Sequence, residues 1–556
     1  MTGKLGRWVA AAAVSGMWLL SGCVSQTPRP GGPLATGAGI DVVELTAEQI
    51  QADYKMGRYT AVQLTQTLLD RIQRYEGHYN AIIAMNPDAL ATAAALDEEY
   101  RSSGPRGPLH GVPVVIKDNI DHAGLVTTAG FSGFSRATGG VDMIPDDDAA
   151  VVERLRRAGA IILAKTNLPD FAGHGTRTKS TVAGVTLNPY NVDKAPGGSS
   201  GGTATAVNAS FAVSGLGTET GGSIQNPAAA QGLVGVKPTF GLVPLEGVVP
   251  MSATHIDVVG PIAKTVRDAA NLLDILAGPT EEDPRTALSV GHIPPGGYTA
   301  GLSETALAGK RFGLVGEGWR TSYLPLAPET EALYRDAIAV LEAQGAEVVE
   351  DPFLGTGFIE KYRERRGARS DGEDEMLAYL QGLGEGAPFN SIEEWEELAG
   401  REFRRGGGRE RSREQPDSTR GGVTPEEREP ATREEGPSFQ DWRMEIQALF
   451  RGVLEENGLD GLFFPQAGAP IPDLIEDPDR PDYNPNNHPE LPSNIVNDMG
   501  LPVVTLPFAY YDDRTPFVLA FIGDIWTEGE LLAFAYDLER ATRSRVAPEL
   551  TEKPGR

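Results

Sequence analysis

Two glycine-flanked serines constrain this chain more than anything else in it. They sit in Pro196-Gly197-Gly198-Ser199-Ser200-Gly201-Gly202 and Gly217-Thr218-Glu219-Thr220-Gly221-Gly222-Ser223, 24 positions apart (223 − 199). Glycine at that density builds turns, where backbone N–H groups can converge on one point and approach a bound group closely. Such turns need a scaffold. Val112 to Ile116 is a nearly continuous apolar run, and Ala160-Ile161-Ile162-Leu163-Ala164 is a second. Runs of that kind read as strands covered on both faces. Helical spacing falls between and after them, at about 149–158, 203–212 and 264–277. A strand, helix, strand pattern follows at 310–316, 329–343 and 346–349. The alternation predicts an α/β layer architecture.

The rest of the chain divides by composition. Lys4 and Arg7 precede an apolar stretch from Trp8 to Leu20 and then Leu20-Ser21-Gly22-Cys23. A short basic region, a short apolar core and small residues at a cut site describe an export signal, too short to span a bilayer. Residues 1–22 are read as that signal, and Pro/Gly/Ser/Thr-rich residues 23–42 as a flexible tether. A single folded domain is expected over 43–550. Thr60 and Gln63 predict a capping box opening a helix over 61–74. From about 360 to 440 the chain is dominated by Arg, Glu and Gly, as in Arg404-Arg405-Gly406-Gly407-Gly408-Arg409, and reads as a charged, mobile insertion. Core character returns at Trp442 and runs through 459–464, 501–508 and 517–522 to a helix near 528–543.

Charge and cysteine count narrow the function. A formal net charge of −28 opposes a nucleic-acid partner, which needs clustered Lys and Arg. Cys23 is the only cysteine, so an intramolecular disulfide, a Cys-built metal site and a Cys nucleophile in the folded body are all excluded. A serine nucleophile needs a base. A Gly-x-Ser-x-Gly match at Gly198–Gly202 would make Ser200 an α/β-hydrolase nucleophile, but that elbow follows a buried strand directly, and here the preceding residues are polar and end in Pro196. Lysine can serve as base where burial lowers its value from about 10.4 by roughly 3 units. Lys117, at the end of the Val112–Ile116 run, is placed for that. A phosphate-binding loop is excluded, since Gly215-Leu216-Gly217 lacks the third glycine and no Walker lysine follows.

With these residues in view, the chain resembles the amidase signature family. The core of the resemblance runs from Pro196–Gly202 through Gly217–Ile224 to Gly235-Val236-Lys237-Pro238-Thr239. Upstream, Gly107–Pro113 with Lys117-Asp118-Asn119 looks like the family's lysine segment, and Lys165-Thr166-Asn167, Asn188-Pro189 and Gly247–Pro250 match further landmarks. The resemblance implies an α/β/α sandwich around a large mixed, twisted sheet. It implies a Ser–Ser–Lys triad, with Ser223 forming the acyl-enzyme, Ser199 bridging after a cis peptide at Gly198–Ser199, and Lys117 as base. It implies oxyanion N–H groups from Thr220, Gly221, Gly222 and Ser223, and a pocket near Ala172 and Ser199, with no metal and no cofactor. The expected reaction is hydrolysis of a carboxylic, aryl or fatty acyl amide. The alternatives are an amidotransferase-like subunit or a non-catalytic binding lipoprotein.

Leu20–Cys23 also resembles the bacterial lipobox, which implies lipidation at Cys23, export and anchoring to the cell envelope. Val24 is not the aspartate that commonly retains lipoproteins at the inner membrane, so an outer membrane is the expected address where the cell has one. The expected partners are a small-molecule amide and, through the lipid alone, the membrane; a homodimer is compatible with the sequence. Two departures from the family pattern stand out: Glu219 where many members have Asp, and Gln225 where many have Arg. The second puts an ion-pair role at that position in doubt.

Overall fold

The computed structural model describes residues 39–319, 325–365, 372–404, 438–475, 489–491 and 493–553. The proposed signal, Cys23 and nearly all of the tether lie outside these residues. Thirteen strands follow the chain. They are β1 (Ile82–Met85), β2 (Pro113–Lys117), β3 (Ile161–Thr166), β4 (Lys179–Ser180), β5 (Gly184–Val185), β6 (Ser214–Glu219) and β7 (Val234–Lys237). Then come β8 (Val258–Ala263), β9 (Arg311–Leu314), β10 (Glu347–Val349), β11 (Gly461–Pro465), β12 (Val503–Tyr510) and β13 (Pro516–Ile522).

Eleven of them form one sheet in the order β1-β3-β2-β6-β8-β7-β12-β13-β11-β9-β10; β4 and β5 pair separately. The sheet is mixed. β2 runs parallel to β3 and β6, and β9 parallel to β10 and β11, while the remaining neighbours are antiparallel. Every residue of β2, β3, β6, β7 and β8 is buried, as the unbroken apolar runs of β2 and β3 predict for strands covered on both faces.

Local signals hold where they were strongest. Thr60 accepts from the Gln63 N–H while the Gln63 side chain reaches back to the Thr60 N–H, and the helix runs on from Ala61 to Tyr79 before left-handed Asn80 ends it. The helix expected at 203–212 is Gly201–Asn208, closing before Ser210 takes a positive φ of 55°.

The expectation for 360–440 needs correction. Two helices, Gly372–Gln381 and Ile392–Ala399, are docked on the body, with Met376, Leu380, Phe389 and Trp395 buried against Phe131, Phe134 and Phe171. The Trp395 indole N–H donates to the Gly133 carbonyl at 2.9 Å. Charge dominates the composition there, yet these few large apolar side chains bury enough area to order the segment. The Arg/Gly-rich part, 405–437, lies outside the described residues. Trp395→Ala is expected to cost about 3–5 kcal/mol in denaturant unfolding; a loss within experimental error would mean that this helix pair is not docked in solution.

Candidate active site

Parallel pairing of β2 with β6 puts their carboxyl ends side by side, with Ile116 opposite Leu216. Lys117 therefore emerges next to Gly217 and Thr218, at the strand ends where open α/β sheets place their ligands. Lys117 is fully buried. Its Nζ lies 2.7 Å from Ser199 Oγ, 2.8 Å from Thr218 Oγ1 and 3.2 Å from the Thr218 carbonyl. Burial pulls the ammonium down to about 7, opposed by the charges of Asp257 and Glu219. The amine is thus dry and held against one of the two serines. Asn119, two residues on, donates to the same Thr218 hydroxyl at 3.0 Å.

The Gly198–Ser199 peptide is cis. Gly197 at φ 76° lies so close to Pro227 that an added Cβ would come within 2.4 Å of the proline Cα. The residue after Ser199, Ser200, opens the helix Gly201–Asn208. Its hydroxyl is committed to the Thr218 carbonyl and N–H (3.2 and 3.3 Å), so it is not an elbow nucleophile. The Ser200 N–H donates to the Ser223 carbonyl at 3.2 Å, which pins the two serine turns together.

Glu219 shapes the turn that carries Ser223. One carboxylate oxygen accepts from the Ile224 and Gln225 N–H groups (2.7 and 3.0 Å); the other accepts from the side-chain amides of Gln225 and of Asn497, the latter at 2.7 Å. The two departures from the family pattern thus meet each other: a neutral amide donates to the longer acid. On the other flank, Thr220 donates its hydroxyl to Asp257, whose second oxygen accepts from the Met251 and Ser252 N–H groups at 2.8 Å. Sequence reasoning gives no role to Thr218, Asn119, Asp257 or Asn497. Thr218 and Asn119 lie within the family motifs, whereas Asp257 and Asn497 arrive from distant segments.

Ala172 lines a narrow pocket with Ala129, Phe171, Val248, Val249 and Met251, and Asn119, Thr218, Thr220 and Asp257 supply its polar wall. Phe171 and Ala172 both take positive φ (50° and 56°), a costly backbone for such residues. Among the described residues there is no group of three or more His, Cys, Asp or Glu able to hold a metal ion.

A family model described as Amidase matches residues 63–532. The chain belongs to the amidase signature family. This amidase-family chain is 32% identical over 514 residues to a glutamyl-tRNA(Gln) amidotransferase subunit of Alkaliphilus metalliredigens, covering 90% of the chain and 96% of that protein. It matches the native peptide amidase of Stenotrophomonas maltophilia at TM-score 0.72 and 32% identity, over 91% of the chain and 99% of that structure. The corresponding glutamyl-tRNA(Gln) amidotransferase subunit from Thermotoga maritima matches at TM-score 0.64 and 25% identity, over 92% and 99%. The fold is the expected amidase α/β architecture, and the protein is an enzyme of the amidase type.

Proposed function

We propose that this amidase hydrolyses a linear carboxylic amide through an acyl-enzyme on Ser223. The observation that carries the reading is the buried Lys117 amine within 2.7 Å of Ser199. As a neutral amine, Lys117 donates its two N–H bonds to the carbonyl and hydroxyl of Thr218, and its lone pair faces the Ser199 O–H. Ser199 passes its proton to Lys117 and takes one from Ser223, which attacks the amide carbonyl. The N–H groups of Thr220, Gly221, Gly222 and Ser223 form the oxyanion hole, on a turn braced by Glu219 and Asp257. The proton then returns through Ser199 to the leaving nitrogen, and water hydrolyses the ester. The products are an acid and an amine or ammonia.

The experiment is labelling with a fluorophosphonate together with an amide and ester panel. Wild-type protein is expected to label and turn over, and Ser223→Ala to do neither while remaining folded. Full amide turnover by Ser223→Ala would end the assignment.

One observation favours a second reading. The relatives from Alkaliphilus metalliredigens and Thermotoga maritima are amidotransferase subunits, so the chain could supply ammonia to a partner. The net charge of −28 weighs against a tRNA-bound assembly. Glutamine hydrolysis that requires a co-purifying protein would select that reading.

We also propose that a lipid on Cys23 anchors the protein to the cell envelope. Cys23→Ala is expected to abolish palmitate incorporation and release the protein from membranes; unchanged membrane recovery would overturn this.

A further inference from the structure

A second cavity, of about 300 Å³, adjoins the catalytic pocket and shares Leu245, Val248 and Pro250 with it. That volume suits a small-molecule ligand. Its wall carries five acidic side chains: Asp121, Asp147, Glu246, Glu282 and Glu375. The one cation on the wall, Arg285, is committed to Asp283 and the Ala253 carbonyl.

Three of these carboxylates are anchored through one oxygen. Asp121, only 3% exposed, uses Oδ1 to accept from Thr127 Oγ1 at 2.7 Å and from the Tyr379 hydroxyl at 2.9 Å. Glu246 Oε2 accepts from the Ala150 N–H at 3.0 Å, and Glu375 Oε1 from the Thr254 N–H at 2.8 Å. Their second oxygens are left over, and Glu375 Oε2 is buried without a partner among the described residues. Burial raises Asp121 to about 7, opposed by the nearby charge of Lys165, and burial raises Glu246 as well; neighbouring acids add to both. An unpaired buried carboxylate is costly, and a cation in the cavity would relieve several at once.

The acids do not converge as the ligands of one ion would, since no metal-type cluster is found among the described residues. They are spread along a cavity wall. We infer that this cavity is a subsite for an organic cation, an ammonium or guanidinium at the far end of a substrate whose apolar body occupies the pocket beside Ala172 and whose amide carbonyl reaches Ser223. The inference rests on the proposed amidase reading and names its substrate class: amides bearing a terminal cation.

The test pairs n-hexylguanidinium with n-hexanol, titrated calorimetrically into the full-length protein. Neither probe is hydrolysed, so the result is independent of turnover. The guanidinium is expected to bind about tenfold more tightly than the alcohol and to weaken as salt rises. Glu246→Gln and Glu375→Gln together keep the anchoring oxygens while removing charge, and are expected to erase the difference. In kinetics, the kcat/KM ratio of a cationic amide to its neutral analogue should fall toward one in the same double variant. Equal binding of the two probes, a preference unchanged in the double variant, or stoichiometric displacement of the guanidinium by calcium would each overturn the subsite. Loss of Ser223 labelling would strike the amidase reading instead.

Discussion

Lys117→Met is expected to leave a folded protein with kcat/KM for its amide substrate reduced by roughly 10³-fold, within the range that a general base supplies. The wild-type pH profile gives the matching signature. Only the neutral amine can take the Ser199 proton, so kcat/KM should rise with pH through about 7, the value to which burial brings Lys117. A profile flat from pH 5 to 9 would remove Lys117 as the base.

The same burial shows in stability. The native value of Lys117 lies near 7, below about 10.4 in the unfolded chain. Between those two values the unfolded state binds the extra proton, so this residue makes stability rise with pH across that window. Below pH 7 the full penalty on the native ammonium is present, of the order of 3–5 kcal/mol before compensation. Methionine fills a similar volume and carries no charge, but it leaves the Ser199 and Thr218 hydroxyls short of a partner, at about 1–3 kcal/mol. The variant should therefore match or exceed wild-type stability at pH 6 and lose that advantage toward pH 10. A variant several kcal/mol weaker at pH 6 would show that the native site stabilises the ammonium.

What can be read in the sequence, and what cannot, follows from the range of the interactions. Strands such as Val112–Ile116 and the Thr60/Gln63 capping box are local, so their residues carry the information. The triad lies in two short motifs and a strand end, and it too is legible. The helices Gly372–Gln381 and Ile392–Ala399 are hidden, because Met376, Leu380 and Trp395 acquire their meaning only against Phe131 and Phe134, more than 200 residues earlier in the chain. The braces of the Ser223 turn escape for the same reason. Asn497 meets Glu219 across 278 positions, and Asp257 meets Thr220 across 37. With Gln225 in place of a cation, the contact to Glu219 is kept by an amide hydrogen bond, so no charge at that position offsets the carboxylate. Glu219 consequently acts on Lys117, raising its value against burial.

Gly221 and Gly222 look alike in sequence, yet they are expected to respond to alanine very differently. Gly222 sits at φ 110°, where an L side chain is strained wherever it points. A Cβ added there would lie 2.6 Å from Asn226 Nδ2 and 2.7 Å from Ser493 Cβ. Neither neighbour can retreat easily. Asn226 donates to the Gly175 carbonyl at 3.2 Å and accepts from Ser493 Oγ at 2.9 Å, and both residues are buried. The turn itself must therefore shift, taking the N–H groups of the oxyanion hole with it. Gly222→Ala should lower kcat by about 10²–10³, the effect of losing one such donor, and lower stability by about 1–3 kcal/mol. Gly221 has no positive φ to defend, and its added Cβ would meet only Asn494 Oδ1, at 3.2 Å, on an exposed side chain free to turn away. Gly221→Ala should cost less than about tenfold in kcat and under ~1 kcal/mol. Paired kinetics and unfolding curves for the two variants test this. Equal losses would mean that general crowding of the turn, and not the geometry of its N–H groups, sets the rate.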